Sequence, residues 1–160
     1  MASMPQPKNP GTPEAVFRSL QTIHRAFAGV VLITGVLVFL MRATGSVAGE
    51  GLVGPLPLLR PLFWLAALGC LVAIQRIRGH FLSPEALRQR AKPIAQSIVT
   101  WHVTMFGLAD AIILYGLLLF LLAGLLGDFL LLAGVALGVF VWLRPTQERT
   151  HALLQKAERP

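Results

Sequence analysis

Apolar residues run along this chain in four long stretches, separated by segments rich in glycine, proline and charge. They are Ile23–Met41, Leu58–Ile77, Ile98–Leu126 and Phe129–Leu143. A helical bilayer crossing takes about 20 mostly apolar residues, so the pattern predicts an all-α membrane protein with four transmembrane helices running antiparallel, up and down. The fourth stretch is short, and its end draws on the interfacial residue Trp142.

The first helix has a clear start. Thr12 is placed to cap it, Pro13 takes the first helical position and Glu14 stands in the first turn. The cluster Gly45, Gly49, Gly51, Gly54, Pro55 and Pro57 breaks the chain after span one, and Arg60-Pro61 opens the regular part of span two. Ser83-Pro84-Glu85, followed by Arg88 and Arg90, carries the signature of a short cytoplasmic helix between spans two and three. Gly124–Asp128 predicts an abrupt turn that makes spans three and four a hairpin. Pro145 stops span four, and Thr146–Arg159 suits a short surface helix. The organisation is thus 1–22, a polar N-terminal arm and interfacial helix start, then 23–144, the four-helix transmembrane domain, then 145–160, a cytoplasmic tail.

The composition agrees: 55% apolar residues and a mean hydropathy of +0.69 do not suit a water-soluble globule. The 14 Lys and Arg against 7 Asp and Glu give a formal charge of +7, and position decides what that charge means. Lys8, Arg18 and Arg25 lie before or at the start of span one. Arg76, Arg78, Arg88, Arg90 and Lys92 fall from the inner end of span two up to span three, and Arg144, Arg149, Lys156 and Arg159 follow span four. Only Arg42 and Arg60 fall on the other side. This asymmetry predicts both termini in the cytoplasm, and assigns the basic charge to topology and anionic lipid headgroups rather than nucleic acid. Four prolines precede Glu14 and no apolar core lies ahead of Ile23, so span one reads as retained rather than cleaved as a signal. The expected location is an integral, bacterial inner-membrane one.

Little conventional chemistry can be assembled. Cys70 lies alone within span two. His24, His80, His102 and His151 share no metal-ligand spacing, so neither a metal nor a cofactor is expected. No nucleophile with a base and no phosphate-binding glycine loop is present, which argues against catalytic activity of the chain's own.

The exception to the apolar pattern is Asp110, deep in span three. A charge at mid-bilayer costs about 2.5–3.5 kcal/mol on insertion scales, so such a residue usually faces a partner, a cavity or an ion path. Desolvation favours its neutral form. A carboxyl that is neutral facing lipid and ionised facing water can carry a proton; one that stays protonated can instead bond to a neighbouring helix and aid assembly. His102, Phe106 and Asp110 share one helical stripe, with Gly107 one turn below Asp110. His102 stands about 12 Å from Asp110 along the axis, so a relay between them needs water. Thr100 and Thr104 form a second polar pair, whose hydroxyls can bond the preceding turn.

The run Asp110-Ala111-Ile112-Ile113-Leu114-Tyr115-Gly116-Leu117 resembles the carboxylate-bearing helix of the c subunits, or proteolipids, of rotary ATP synthases. Many members of that family follow the acidic residue, five positions on, with Tyr-Gly and then aliphatics. Arg88-Gln89-Arg90 with Pro93 is similar to the Arg-Gln-Pro loop joining that family's two helices. The resemblance implies that Asp110 carries a proton or cation and that spans two and three form the c-like hairpin; the candidates for supporting Asp110 are His102, Thr104, Gly107 and Tyr115.

Two functional expectations stand side by side. One is a c-like proton- or cation-carrying subunit. The other is a non-catalytic four-helix structural or assembly subunit of a larger membrane complex, in which Asp110 pairs with a basic or amide group. The partners in either case are the lipid bilayer and other membrane subunits or copies of the same chain. Gly134 and Gly138, spaced as GxxxG on span four, suit close helix packing or oligomerisation. A shift of about 81 residues aligns Gly35–Leu40 with Gly116–Leu121, as a duplication of two helical hairpins would.

Overall fold

The computed structural model describes residues 12–45, 56–83, 86 and 93–158. Among them every regular element is helical: α1 (Pro13–Ala43), α2 (Leu56–Arg76, running on into a π-helical turn, Ile77–Phe81), α3 (Ile94–Ala123), α4 (Leu126–Trp142) and α5 (Gln147–Glu158). Three segments, Pro13–Ala43, Leu58–Phe81 and Ile94–Ala123, are long and apolar enough to cross a membrane, and Leu126–Trp142 is a shorter apolar helix of 17 residues.

The ends of these helices follow local chemistry. Thr12 caps α1, its hydroxyl accepting from the Ala15 amide at 3.4 Å, with Pro13 in the first turn as expected. At the far end Gly45 takes a positive φ of 68° and donates to the Arg42 carbonyl, closing the helix as glycine does most cheaply. At 31 residues α1 is about 46 Å long. That exceeds the hydrocarbon thickness of about 30 Å, so its polar first turns extend past the apolar zone.

Three expected boundaries shift. Span three ends at Ala123 rather than Leu126, because Gly124 adopts a left-handed φ of 66° and its amide bonds to the Phe120 carbonyl at 2.8 Å. The turn is therefore only Gly124-Leu125, and Asp128 belongs to the first turn of α4. Span two is already helical at Leu56, which places Pro61 inside α2 rather than at its start, one turn past the N–H groups that lack a partner at any helix start, so it removes one intrahelical hydrogen bond. The polar arm up to Gly11, the loop prolines and glycines from Gly49 to Pro55, and the Arg88-Gln89-Arg90 segment lie outside the described residues. Of the expected connecting helix, Ser83 shows its capping role, its hydroxyl accepting from the Ala86 amide at 3.3 Å.

α3 is the central element, and α1, α2 and α4 all pack on it. Its buried residues, among them Met105, Phe106, Ala109, Ile112, Ile113 and Phe120, fill the bundle interior. Gly116 makes the closest approach: a Cβ there would meet Phe129 Cα and Leu132 Cβ, both at 3.2 Å. Close contact of α3 with α4 therefore falls at Gly116. Gly134 and Gly138 are exposed, and a Cβ at either would meet nothing within 4 Å of this chain. α1 and α2 pack chiefly on α3 rather than on each other, so the two hairpins of a duplicated arrangement are not equivalent here.

Tertiary contacts fix the relative directions. Arg60 at the start of α2 meets Asp128 at the start of α4. His24 near the start of α1 reaches Phe140 near the end of α4, its Nε2 donating to the carbonyl at 3.1 Å, and Arg78 lies over Trp142. Hence α1 and α3 begin at the end of the bundle where α2 and α4 finish. The amphipathic α5 folds back there, contacting α1, with Thr150 and Leu154 buried together with Val16 and Leu20. The opposite surfaces are apolar on every side, with Leu32, Ile33, Phe39, Leu65, Leu131 and Val141 all exposed. So broad a belt suits a hydrocarbon surround and not water.

Candidate functional site

Asp110 lies near the middle of α3. With the helix ending at Ala123 it stands 13 residues, about 20 Å, from that end, closer than a span reaching Leu126 predicts. The neighbouring Ala109, Ile112, Ile113 and Gly116 are buried, whereas Asp110 is half-buried on the face that also carries Val103, Gly107 and Leu114. Its carboxyl makes no hydrogen bond and no ion pair among the described residues. A Cβ on Gly107 would meet nothing within 4 Å, so the space one turn below the carboxyl is open.

The residues expected to support it divide. His102 is half-buried and engaged within its own helix, Nδ1 donating to the Ile98 carbonyl at 2.8 Å. Phe106 stands between it and Asp110 on the stripe and is fully buried, so no polar path through the chain joins the two. Thr104 donates to the Thr100 carbonyl at 3.0 Å and Thr100 to Gln96 at 2.9 Å; both hydroxyls are satisfied by the preceding turn. Tyr115 is half-buried, its ring stacked on Phe63 of α2 with centroids 5.8 Å apart. Asp110 thus stands without a partner among the described residues.

A second carboxylate is fully engaged. Asp128 is buried, 4% exposed, and accepts from Arg60 Nε at 3.0 Å, from Arg60 Nη2 at 3.1 Å and from Trp64 Nε1 at 3.2 Å. Arg60 and Trp64 are four residues apart on α2 and so share one face. Asp128 also sits in the first turn of α4, where the helix dipole favours a negative charge. The sequence carried a signal for this pair: Arg60 is one of only two basic residues on its side, and Asp128 is the acid of the span three–span four turn.

The opposite end of the bundle is cationic. Arg78, His102, Arg144 and Arg149 line a cavity of about 310 Å³ whose inner wall is apolar. The Arg78 guanidinium lies 4.0 Å from the Trp142 ring centroid, and its Nη1 is buried with no hydrogen-bond partner. The π-helical turn widens the end of α2, with the Leu82 amide reaching back to the Ile77 carbonyl at 3.2 Å, and holds Arg78 in this position. Among the described residues no group of His, Cys, Asp and Glu has the arrangement of a metal site. Comparison with protein-family models, with curated proteins and with solved structures yields no match.

Proposed function

We propose that this chain is a four-span integral membrane subunit with both termini on the cytoplasmic side of a bacterial inner membrane, and that Asp110 is its point of engagement with another chain. The observation that carries this reading is the half-buried, unpartnered carboxyl at the centre of α3. An unpaired carboxyl at that depth is costly, and a basic or amide group from a neighbouring helix removes the cost. The 17 residues of α4, about 25 Å of helix, cross a membrane if Trp142 and the Arg60–Asp128 pair lie at opposite interfaces.

Ion carriage is the second reading. It is favoured by the outward placement of Asp110 together with the Tyr115-Gly116 spacing, and by the packing of α2 against α3. In this reading Asp110 takes up a proton or cation from a water path supplied by a neighbouring subunit.

Asp110→Asn separates the two. In the subunit reading the variant folds, but crosslinking and co-purification from native membranes lose a partner that the unaltered chain retains. In the carrier reading partner recovery persists while ion flux in reconstituted vesicles stops, and a carbodiimide labels Asp110 beforehand. Full partner recovery with full flux removes both.

A further inference from the structure

Two cavities meet at Trp142. The first is the cationic one at the terminus end of the bundle, where Arg78, Arg144 and Arg149 surround a space backed by Leu82, Ile98 and Met105. The second, about 320 Å³, is a groove between α2 and α4 lined by Leu71, Ile74, Val135, Gly138 and Val139, together with Gln75. Trp142 lines both. A cationic chamber and an apolar groove thus flank one aromatic ring, the groove running from it between α2 and α4.

We infer that this paired cavity is a binding site for one anionic phospholipid, its phosphate held by Arg78, Arg144 and Arg149 and one acyl chain lying in the α2–α4 groove. Charge, geometry and unmet bonding all point to this class of ligand. Among the described residues no carboxylate lines the cationic chamber, so its three guanidinium groups meet no counter-charge from them there. Guanidinium matches phosphate oxygens in two-pronged hydrogen bonds, and Arg78 Nη1 is buried without an acceptor. Stacking over Trp142 holds the Arg78 plane in place. Thr146, just before α5, and Arg149 in its first turn border the same chamber, which adds the positive end of a helix. Gly138, with nothing within 4 Å of a would-be Cβ, leaves the groove floor open to a hydrocarbon chain. A free phosphate fits the chamber alone; only a lipid uses both halves. The inference rests on the membrane-spanning reading and is independent of any role for Asp110.

The test uses the full chain purified in mild detergent and in nanodiscs. Native mass spectrometry of the unaltered chain is expected to show one retained phosphatidylglycerol in preference to phosphatidylcholine, not displaced by millimolar inorganic phosphate. The triple variant Arg78→Gln, Arg144→Gln, Arg149→Gln is expected to bind it on the order of a hundredfold more weakly. A control with Arg18→Gln and Arg25→Gln, exposed on α1 away from the cavity, retains it. Equal retention by the triple variant and the control overturns the site, and full displacement by phosphate overturns the lipid as its occupant. A measurement that needs no arginine variant covers the case in which the triple variant does not fold. Trace brominated phosphatidylglycerol in a phosphatidylcholine nanodisc should quench the fluorescence that Trp142→Phe removes, and brominated phosphatidylcholine at the same level should not. Equal quenching by the two lipids also overturns the proposal.

Discussion

Arg60 and Asp128 form a two-pronged ion pair across 68 residues of sequence, with Nε to Oδ2 at 3.0 Å and Nη2 to Oδ1 at 3.1 Å. The pair fastens the start of α2 to the tip of the α3–α4 hairpin. It leaves the two carboxylates of the apolar helices in opposite conditions: Asp128 fully bonded within the chain, Asp110 offered outward.

Removing Arg60 strands a buried acceptor. Arg60→Met is expected to lower the unfolding free energy by about 1–2 kcal/mol. That lies in the lower part of the range for an orphaned buried group, because the Arg60 side chain is 58% exposed and its charge is screened. Thermal unfolding in detergent measures it. The double variant Arg60→Met, Asp128→Leu should recover most of the loss, since apolar replacement of both partners removes the stranded charge. A double variant no more stable than Arg60→Met would show that the pair is not what holds the hairpin tip.

Gly116 and Gly134 give opposite expectations for the same substitution. At Gly116 an added Cβ meets the backbone of Phe129 at 3.2 Å, and α4 must move away. Gly116→Ala should therefore cost about 1–3 kcal/mol as overpacking. At Gly134 the space is open, so Gly134→Ala should be neutral within this chain, or stabilising by up to about 1 kcal/mol through helix propensity. Destabilisation at Gly134 without oligomer loss would contradict the packing described.

The contrast between these glycines shows what a sequence discloses. Periodicity and caps located the helices because they are local: Thr12-Pro13 and the apolar stretches carry their own evidence. Which glycine sits in a contact depends on how one helix is rotated against another. GxxxG spacing cannot report that, so Gly134 and Gly138 stood out where Gly116 makes the approach. Asp110 was legible because a carboxyl amid aliphatics is anomalous by itself. Arg60–Asp128 left only the isolation of Arg60 and the acid of the turn as a signal, and the Arg78–Trp142 cavity left none, because its members are ordinary interfacial residues until the fold joins them. The π-helical turn that places Arg78 has no sequence signature in Ile77–Phe81.

His24 supplies a polar tie between α1 and α4. A carbonyl can only accept, so the Nε2 that meets Phe140 at 3.1 Å carries the proton, and the ring packs edge-on to Phe106 at 5.4 Å. His24→Phe should keep the packing and lose the bond, costing about 0.5–1.5 kcal/mol. His24→Ala should cost more, because it also opens space beside Phe106. Equal unfolding midpoints for the two variants would show that the hydrogen bond, rather than the ring, carries the contact.

The sidedness of the bundle can be read chemically. Cys70 is buried, so Cys70→Ser provides a background in which single cysteines report position. Gly127, exposed in the first turn of α4, and Gln155, exposed on α5, lie at opposite ends of the bundle. If the basic end faces the cytoplasm, as the excess of Lys and Arg predicts, a membrane-impermeant maleimide added to intact spheroplasts labels Gly127→Cys and spares Gln155→Cys until the cells are lysed. Labelling of both in intact spheroplasts indicates that the 17-residue α4 does not cross. Labelling of Gln155→Cys alone inverts the orientation and places the cationic cavity in the outer leaflet, where the leaflet's own lipid composition then decides which headgroup can reach Arg78.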